Sequence, residues 1–188
     1  MTLPKIIGLA GLQGVGKSTA ARYLCEAHGY VERSFAGPLK RIVQQVYEFS
    51  AEQMFGDSWH RNQPDPRYPR ADGTCLTPRQ ALELFGTEAG RACWEQTWVA
   101  MAMREARELI NAGECVVFAD ARFANEFSAI FAAGGSVVRL TRAGRTPSAH
   151  ASETEQHALP DSLFSAVIPT DGSITATREL IDRWLGGA

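Results

Sequence analysis

The sequence predicts an α/β fold built on a parallel sheet, and three observations lead there. Short apolar, β-branched runs recur along the chain: KIIGLA at Lys5–Ala10, ECVVFA at Glu114–Ala119 and Ser136–Leu140. Their length and continuous hydrophobicity suit strands buried on both faces. Stretches of helical period lie between them. A glycine-rich turn, GLQGVGKST at Gly11–Thr19, joins the first strand to the first helix. Strands alternating with helices in this way form parallel sheets with right-handed crossovers.

The elements follow in order. Lys5–Ala10 reads as the first buried strand. A helix from about Lys17 to Ala27 ends near Gly29, a residue suited to the position after a helix C-cap. Tyr30–Phe35 is a second short strand. Pro38 opens a helix to about Phe49, with Leu39, Ile42, Val43 and Val46 on one face. From Gly56 to Thr74 there is no periodicity, and DSWHRNQPDPRYPRADG reads as an irregular loop that is either functional or mobile. Thr77 and Pro78 make an N-cap and N1 pair for a helix reaching Gly86. A longer helix covers about Glu95–Asn111 and stops before Gly113. Glu114–Ala119 is a buried strand ending at Asp120. Ala124–Ala133 is helical and stops at Gly134–Gly135. Ser136–Leu140 and Ser165–Ile168 are strands, and Ile174–Leu185 is a final helix.

A chain of 188 residues, 45% hydrophobic and 21% charged, is ordinary globular composition. It is long enough for one domain, residues 1–188, with an insertion at about 36–112 and a lid at about 141–160. The net charge of −2 supplies no global field to recruit nucleic acid. Cys25, Cys75, Cys93 and Cys115 are widely spaced and form no zinc pattern, which fits a reducing cytoplasm. No secretory leader and no apolar run of membrane-spanning length is seen, so neither export nor a membrane partner is expected.

Gly11 to Ser18 satisfies G-x-x-x-x-G-K-[ST]. Glycines let the backbone curl so that its N–H groups face a phosphate chain. The helix beginning at Lys17 presents its positive end to the same anion. Lys17 reaches the β- and γ-phosphates, and the Ser18 hydroxyl can ligate Mg²⁺. Gly11, Gly14, Val15, Gly16, Lys17, Ser18 and Thr19 are therefore the expected nucleotide cradle. No N-K-x-D guanine signature is present, which favours ATP as donor.

Asp120 falls at the carboxyl end of a strand, the edge that faces the ligand crevice in such sheets. It could hold Mg²⁺, or it could form a structural pair with Arg122. Arg139, Arg142 and Arg145 lie close together in a polar stretch that reads either as a lid neutralising phosphoryl charge or as a solvated loop. His150 and His157 are weak evidence for a metal, and Ser152 with Glu155 forms a capping box. Arg79 sits in a first helical turn, against the dipole preference, as an anion ligand would. Trp94 and Trp98, four apart, share a helix face, with core packing the default and base stacking the alternative.

Several segments together resemble the bacteriophage deoxynucleoside monophosphate kinases typified by the T-even phage enzyme. They are FAGPLK (Phe35–Lys40), RQALELFGTE (Arg79–Glu88), WV (Trp98–Val99), VVFADAR (Val116–Arg122), GGSVVRLTRAG (Gly134–Gly144), HASE (His150–Glu153) and TDGS (Thr170–Ser173). They occur in the family's order and cover most of the chain.

The resemblance implies a three-layer P-loop nucleoside monophosphate kinase fold, with a lid, that moves the ATP γ-phosphate to a deoxynucleoside 5′-monophosphate. It matches Lys17 and Ser18 to the P-loop lysine and the hydroxyl-or-acid position after it. Asp120 and Arg122 match the family's D-x-R, and Arg142 matches its lid arginine. Lys40 and Arg79 match basic positions near the acceptor phosphate, and Glu88, Trp98 and Arg122 join them on the acceptor side. Lys17, Asp120, Arg122 and Arg142 are then the catalytic set, Arg142 also touches ATP, and Ser18 with Asp120 holds Mg²⁺. The chain is shorter than the T-even enzyme between the GPLK helix and Arg79, so base preference does not transfer. The partner implied is a small nucleotide, and a homodimer is left open. The rival readings are a dephospho-coenzyme A-like or phosphomevalonate-like kinase and a P-loop ATPase module.

Overall fold

The computed structural model describes residues 3–146, 156 and 158–187. It divides the chain into two compact units, Met1–Phe35 with Met103–Ala188, and Ala36–Ala102.

The first unit holds five strands: β1 (Ile6–Ala10), β2 (Tyr30–Arg33), β3 (Cys115–Phe118), β4 (Ser136–Thr141) and β5 (Ala166–Pro169). They form one sheet in the order β2-β3-β1-β4-β5, and every pairing is parallel. Ile7 stands opposite Val117 on one side and Leu9 opposite Val138 on the other. Because side chains alternate across a strand, Ile7, Leu9, Val117, Val138, Leu140 and Ile168 share one face. There they pack with Ala20, Ala21 and Leu24 of α1 (Lys17–His28).

Ile181 and Leu185 of the C-terminal helix (Ile174–Gly187) complete that cluster. On the other face α7 (Ala124–Ala132) lies against β1 and β4. Gly8 permits this: a Cβ there would fall 2.4 Å from Cδ1 of Ile130 on α7.

α1 begins directly after the glycine-rich turn and ends at Gly29, whose φ of 71° closes the helix in the left-handed region. The turn emerges from β1, the central strand, whose five residues are all buried.

The second unit contains α2 (Gly37–Tyr47), α3 (Ala51–Phe55), α4 (Ser58–Asn62), α5 (Pro78–Leu84) and a π-helical segment, Phe85–Arg91. α6 (Thr97–Asn111) starts in this unit, and the division at Ala102 falls within it. Its core is Val43, Phe49, Met54, Leu76 and Ala81, with Tyr47, Tyr68 and Phe85 packed around it.

The expected helix to Phe49 ends earlier, because Glu48 takes a left-handed φ of 50°. Ser50 and Gln53 then form a reciprocal capping box that starts α3. The segment read as an irregular loop is ordered. Asp65, 4% exposed, accepts hydrogen bonds from Arg67 Nε (3.0 Å) and Nη2 (2.8 Å) and from Gln53 Nε2 (3.1 Å). Around it Pro69 and Cys75 form an antiparallel bridge, and Asp65 N–H donates to the Leu76 carbonyl at 2.9 Å. Charge pairing and backbone bonding order this stretch where hydrophobic period is absent.

Gly86 does not stop the α5 helix, and the chain continues as the π-helical turn. Gly86 and Gly90 are instead contact points. A Cβ at Gly86 would meet Leu39 at 3.0 Å, and one at Gly90 would meet the Trp98 indole at 2.2 Å. Trp94 lies before α6 rather than on it and is exposed. The Thr97 hydroxyl donates to the Gly90 and Trp94 carbonyls at 2.9 and 2.7 Å, which closes the π turn and starts α6.

Candidate active site

The glycine-rich turn adopts the conformation its composition requires. Gly11, Gly14 and Gly16 have φ of 131°, 80° and 99°, a region costly for any residue with a Cβ. At Gly11 space alone demands glycine, since a Cβ would sit 2.3 Å from the Leu140 carbonyl oxygen. Lys17 Nζ folds back over the loop and donates to the Gly11 and Leu12 carbonyls at 2.5 and 2.8 Å. Gly16 is the N-cap of α1 and supplies no side-chain cap, and the first turn carries no acidic residue. Ser18 and Thr19 are exposed there. A helix N-terminus with orphan N–H groups, a nearby ammonium and no competing carboxylate is an anion site.

The loop is held from β4 and β5. The Thr170 hydroxyl, buried at 3% exposure, bridges the Val15 and Thr141 carbonyls at 2.8 and 2.9 Å. Arg142 donates from Nε and Nη2 to the Thr170 carbonyl (3.2 and 3.0 Å) and from Nη1 to the Gly14 carbonyl (3.3 Å). Arg145 stacks close by, its guanidinium carbon 3.1 Å from the place a Gly14 Cβ would take. Two arginines thus flank the tip of the phosphate loop, both exposed.

Beside the loop a cavity of about 430 Å³ is lined by Gly11, Leu12, Val15, Arg142, Gln156 and Asp161, among others. Gln156 is buried and accepts the Gly11 N–H through Oε1. It was invisible as a site residue in the sequence, where nothing marks a glutamine in a polar stretch.

Arg139 departs from the lid expectation. It lies in β4, donates to Asp161 Oδ1 at 2.6 Å and to the Leu159 carbonyl at 3.0 Å, and covers the Phe164 ring at 4.0 Å. A strand residue pinned on three sides braces the segment that follows it. The remaining lid expectations, His150, Ser152, Glu155 and His157, lie outside the described residues.

Asp120 follows β3 by two residues. Its carboxylate accepts the Ser34 hydroxyl at 2.5 Å and the Phe35 N–H at 2.9 Å, both just after β2. The structural alternative of an Asp120–Arg122 pair is not found. Arg122 is exposed and makes no ion pair among the described residues.

The Arg122 backbone is instead fixed by Glu126. This residue is 5% exposed, and its Oε2 accepts the Arg122 and Phe123 N–H groups at 2.6 and 3.0 Å. It was missed in the sequence, although a glutamate in the first turn of a predicted helix is a recognisable cap. Glu32, on the neighbouring β2, has its carboxyl raised by desolvation and then by the Asp120 charge, against Arg22.

Among the described residues no cluster of three or more metal-ligating side chains occurs. A nucleotide-bound Mg²⁺ needs only one or two protein oxygens besides phosphate and water. One hydroxyl at a helix N-terminus and one carboxylate at a strand end fit that demand.

The acceptor-side candidates all belong to the second unit apart from Arg122. Lys40 Nζ lies 5.6 Å from the Phe55 ring centre. Arg79 donates Nε–H to Asn62 Oδ1 at 2.5 Å. Glu88 is exposed on the π-helical segment. Trp98 spends its polar atom on the scaffold, since Nε1–H donates to the Gly86 carbonyl at 2.9 Å and the indole lies against Gly90.

No family model matches the sequence. A protein of Acanthamoeba polyphaga mimivirus, provisionally named a deoxynucleotide monophosphate kinase, is 33% identical over 165 residues, 82% of this chain and 83% of its own length. The fold is similar to a dephospho-CoA kinase from Campylobacter jejuni at a TM-score of 0.52, with 12% identity over 97% of this chain and 98% of that one. A shikimate kinase from Aquifex aeolicus aligns over 97% and 96% of the two chains at 13% identity and a TM-score of 0.48. At 12% identity the likeness to the dephospho-CoA kinase establishes the fold alone. A parallel sheet with its phosphate loop after the central strand gives the P-loop kinase fold, and the sequence relationship places this chain in the deoxynucleotide monophosphate kinase family.

Proposed function

We propose that the protein transfers the γ-phosphate of ATP to a deoxynucleoside 5′-monophosphate. The observation that carries this reading is the left-handed Gly11–Gly16 loop opening onto an uncapped, acid-free helix N-terminus with Lys17 beside it. Family membership supports the choice of acceptor.

The chemistry asks little covalent work of the chain. A phosphate monoester has its second pKa near 6, so it is largely dianionic at neutral pH and needs no general base. Positioning and charge neutralisation supply the acceleration. The loop N–H groups and Lys17 hold the donor phosphates. Arg142, already at the loop tip, and Arg122, anchored by its backbone, neutralise charge on the group in transfer. Mg²⁺ would add further neutralisation and would be held by Ser18 and Asp120. Lys40 and Arg79 receive the acceptor phosphate, and Glu88 contributes on the acceptor side. Trp98 acts there through the π-helical segment it braces.

A coupled ADP-release assay with ATP and Mg²⁺ tests the reading, using dTMP, dGMP, dCMP, dAMP, their ribose counterparts and dephospho-coenzyme A. ADP released only with deoxynucleotides supports it and gives the base preference. Release without any acceptor points to an ATPase module, and activity confined to dephospho-coenzyme A refutes the acceptor class.

A further inference from the structure

Strands β2 and β3 run side by side as far as Arg33 and Phe118, the last pair in their register. Beyond that pair a side chain takes over. The Asp120 carboxylate accepts the Phe35 N–H at Oδ1 (2.9 Å) and the Ser34 hydroxyl at Oδ2 (2.5 Å). Ser34 and Asp120 are both half-buried. Phe35 is held independently, 2% exposed and stacked on the buried Phe118 ring with centroids 4.3 Å apart. Its N–H is therefore a fixed donor.

One hydrogen bond to one oxygen leaves a carboxylate able to turn about that bond. A second bond, to the other oxygen, fixes the plane of the group. The Ser34 contact lies at the short end of the range for a hydroxyl on an ionised carboxylate. Each carboxylate oxygen can accept more than one bond, so a group held in this way still serves a cation.

The location gives the hold its meaning. Asp120 leaves the carboxyl end of β3, and Ser18 follows the loop that leaves the same end of β1, the neighbouring strand. A Mg²⁺ ion bound through one or two protein oxygens depends on the aim of each. Hydrogen bonds from outside the coordination shell commonly supply that aim.

We infer that Ser34 is a positioning residue for the metal: its hydroxyl sets the plane of the Asp120 carboxylate, and the hold on nucleotide-bound Mg²⁺ depends on it. This rests on the reading above that Ser18 and Asp120 hold the ion, which gave Ser34 no role. The competing account is that the bond only prolongs the β2–β3 pairing and adds stability.

Binding of a non-hydrolysable ATP analogue, measured by calorimetry in excess Mg²⁺ and again in EDTA, gives a ratio of affinities that reads the ion without turnover. Wild type, Ser34→Ala, Ser34→Thr and Asp120→Asn are compared, with melting temperatures alongside. S34A should lower the ratio about tenfold, the lower end for an outer hydrogen bond to a metal ligand. D120N should lower it at least as far, and S34T, which keeps the hydroxyl, should restore most of it.

A folded S34A with the wild-type ratio, beside a D120N that has lost it, overturns the inference and leaves Asp120 and the kinase reading standing. A fall that S34T does not restore is a packing effect and overturns it too. D120N with the wild-type ratio takes the ion away from Asp120, so the underlying reading fails and the inference with it. If S34A does not fold, Ser34→Cys, close in shape and only a weak donor, carries the same comparison.

Discussion

Replacing Thr170 by valine should destabilise the protein and loosen its hold on ATP. The hydroxyl shares one proton between the Val15 and Thr141 carbonyls. Thr141 keeps a second donor, the Thr170 N–H at 2.8 Å, so the loss falls on Val15, inside the phosphate loop. Valine preserves the shape, which removes cavity formation from the account. What remains is one buried hydrogen bond lost and one carbonyl deprived of its donor, worth about 1–3 kcal/mol.

With a urea m-value of about 2 kcal/mol/M, the unfolding midpoint should fall by about 0.5–1.5 M. Thr170→Ser keeps the hydroxyl and should recover most of the loss. Urea titration of the three proteins, with ATP KM measured alongside, decides the matter. A T170V midpoint equal to wild type, or a serine variant as weak as the valine one, would refute the reasoning.

Three further outcomes are expected. Lys17→Ala should fold normally and lose most turnover, and wild-type rates in a coupled assay would remove Lys17 from the site. Glu126→Gln keeps an acceptor but loses the charge that fixes the Arg122 and Phe123 N–H groups. It should lower kcat several-fold with little change in ATP KM, whereas a pure stability loss would make Glu126 only a helix cap. Asp65 is held well below the usual carboxylate range, chiefly by hydrogen bonds from Arg67. A depressed folded pKa means the unfolded chain takes the proton first, so this contribution is full above about pH 4 and is lost as pH falls below it. Asp65→Asn should therefore be less stable at neutral pH and show a flatter acid limb in thermal melts, and parallel acid limbs would count against the pairing.

The legible parts of this molecule are those set by local chemistry. The turn at Gly11–Gly16, the start of α1 and the Thr77–Pro78 cap were readable because glycine, proline and hydroxyl side chains act on the backbone beside them. β1 and β3 were readable because both of their faces are covered, which leaves an unbroken apolar run in each.

What was not legible depends on partners distant in the chain. Arg139 looked like its neighbours Arg142 and Arg145, yet Asp161 and Phe164 hold it in place. The order in residues 56–74 comes from Asp65, Arg67 and Gln53, a polar hub that leaves no period. Gly86 read as a helix stop because glycine often is one, but here its φ is not positive and its role is to admit Leu39.

The sheet order has a consequence for how the protein is made. β1 lies between β3 and β4, so β1, synthesised before either, has both edges bare until residues 115–118 and 136–141 have followed. At about 5–20 residues per second, the nascent chain carries a hydrophobic strand without neighbours for several seconds. The phosphate loop gains the Leu140 wall against Gly11 only after residues 12–140 have been synthesised. Premature termination ahead of β4 would therefore release an intact nucleotide motif with an aggregation-prone edge and no support for its turn.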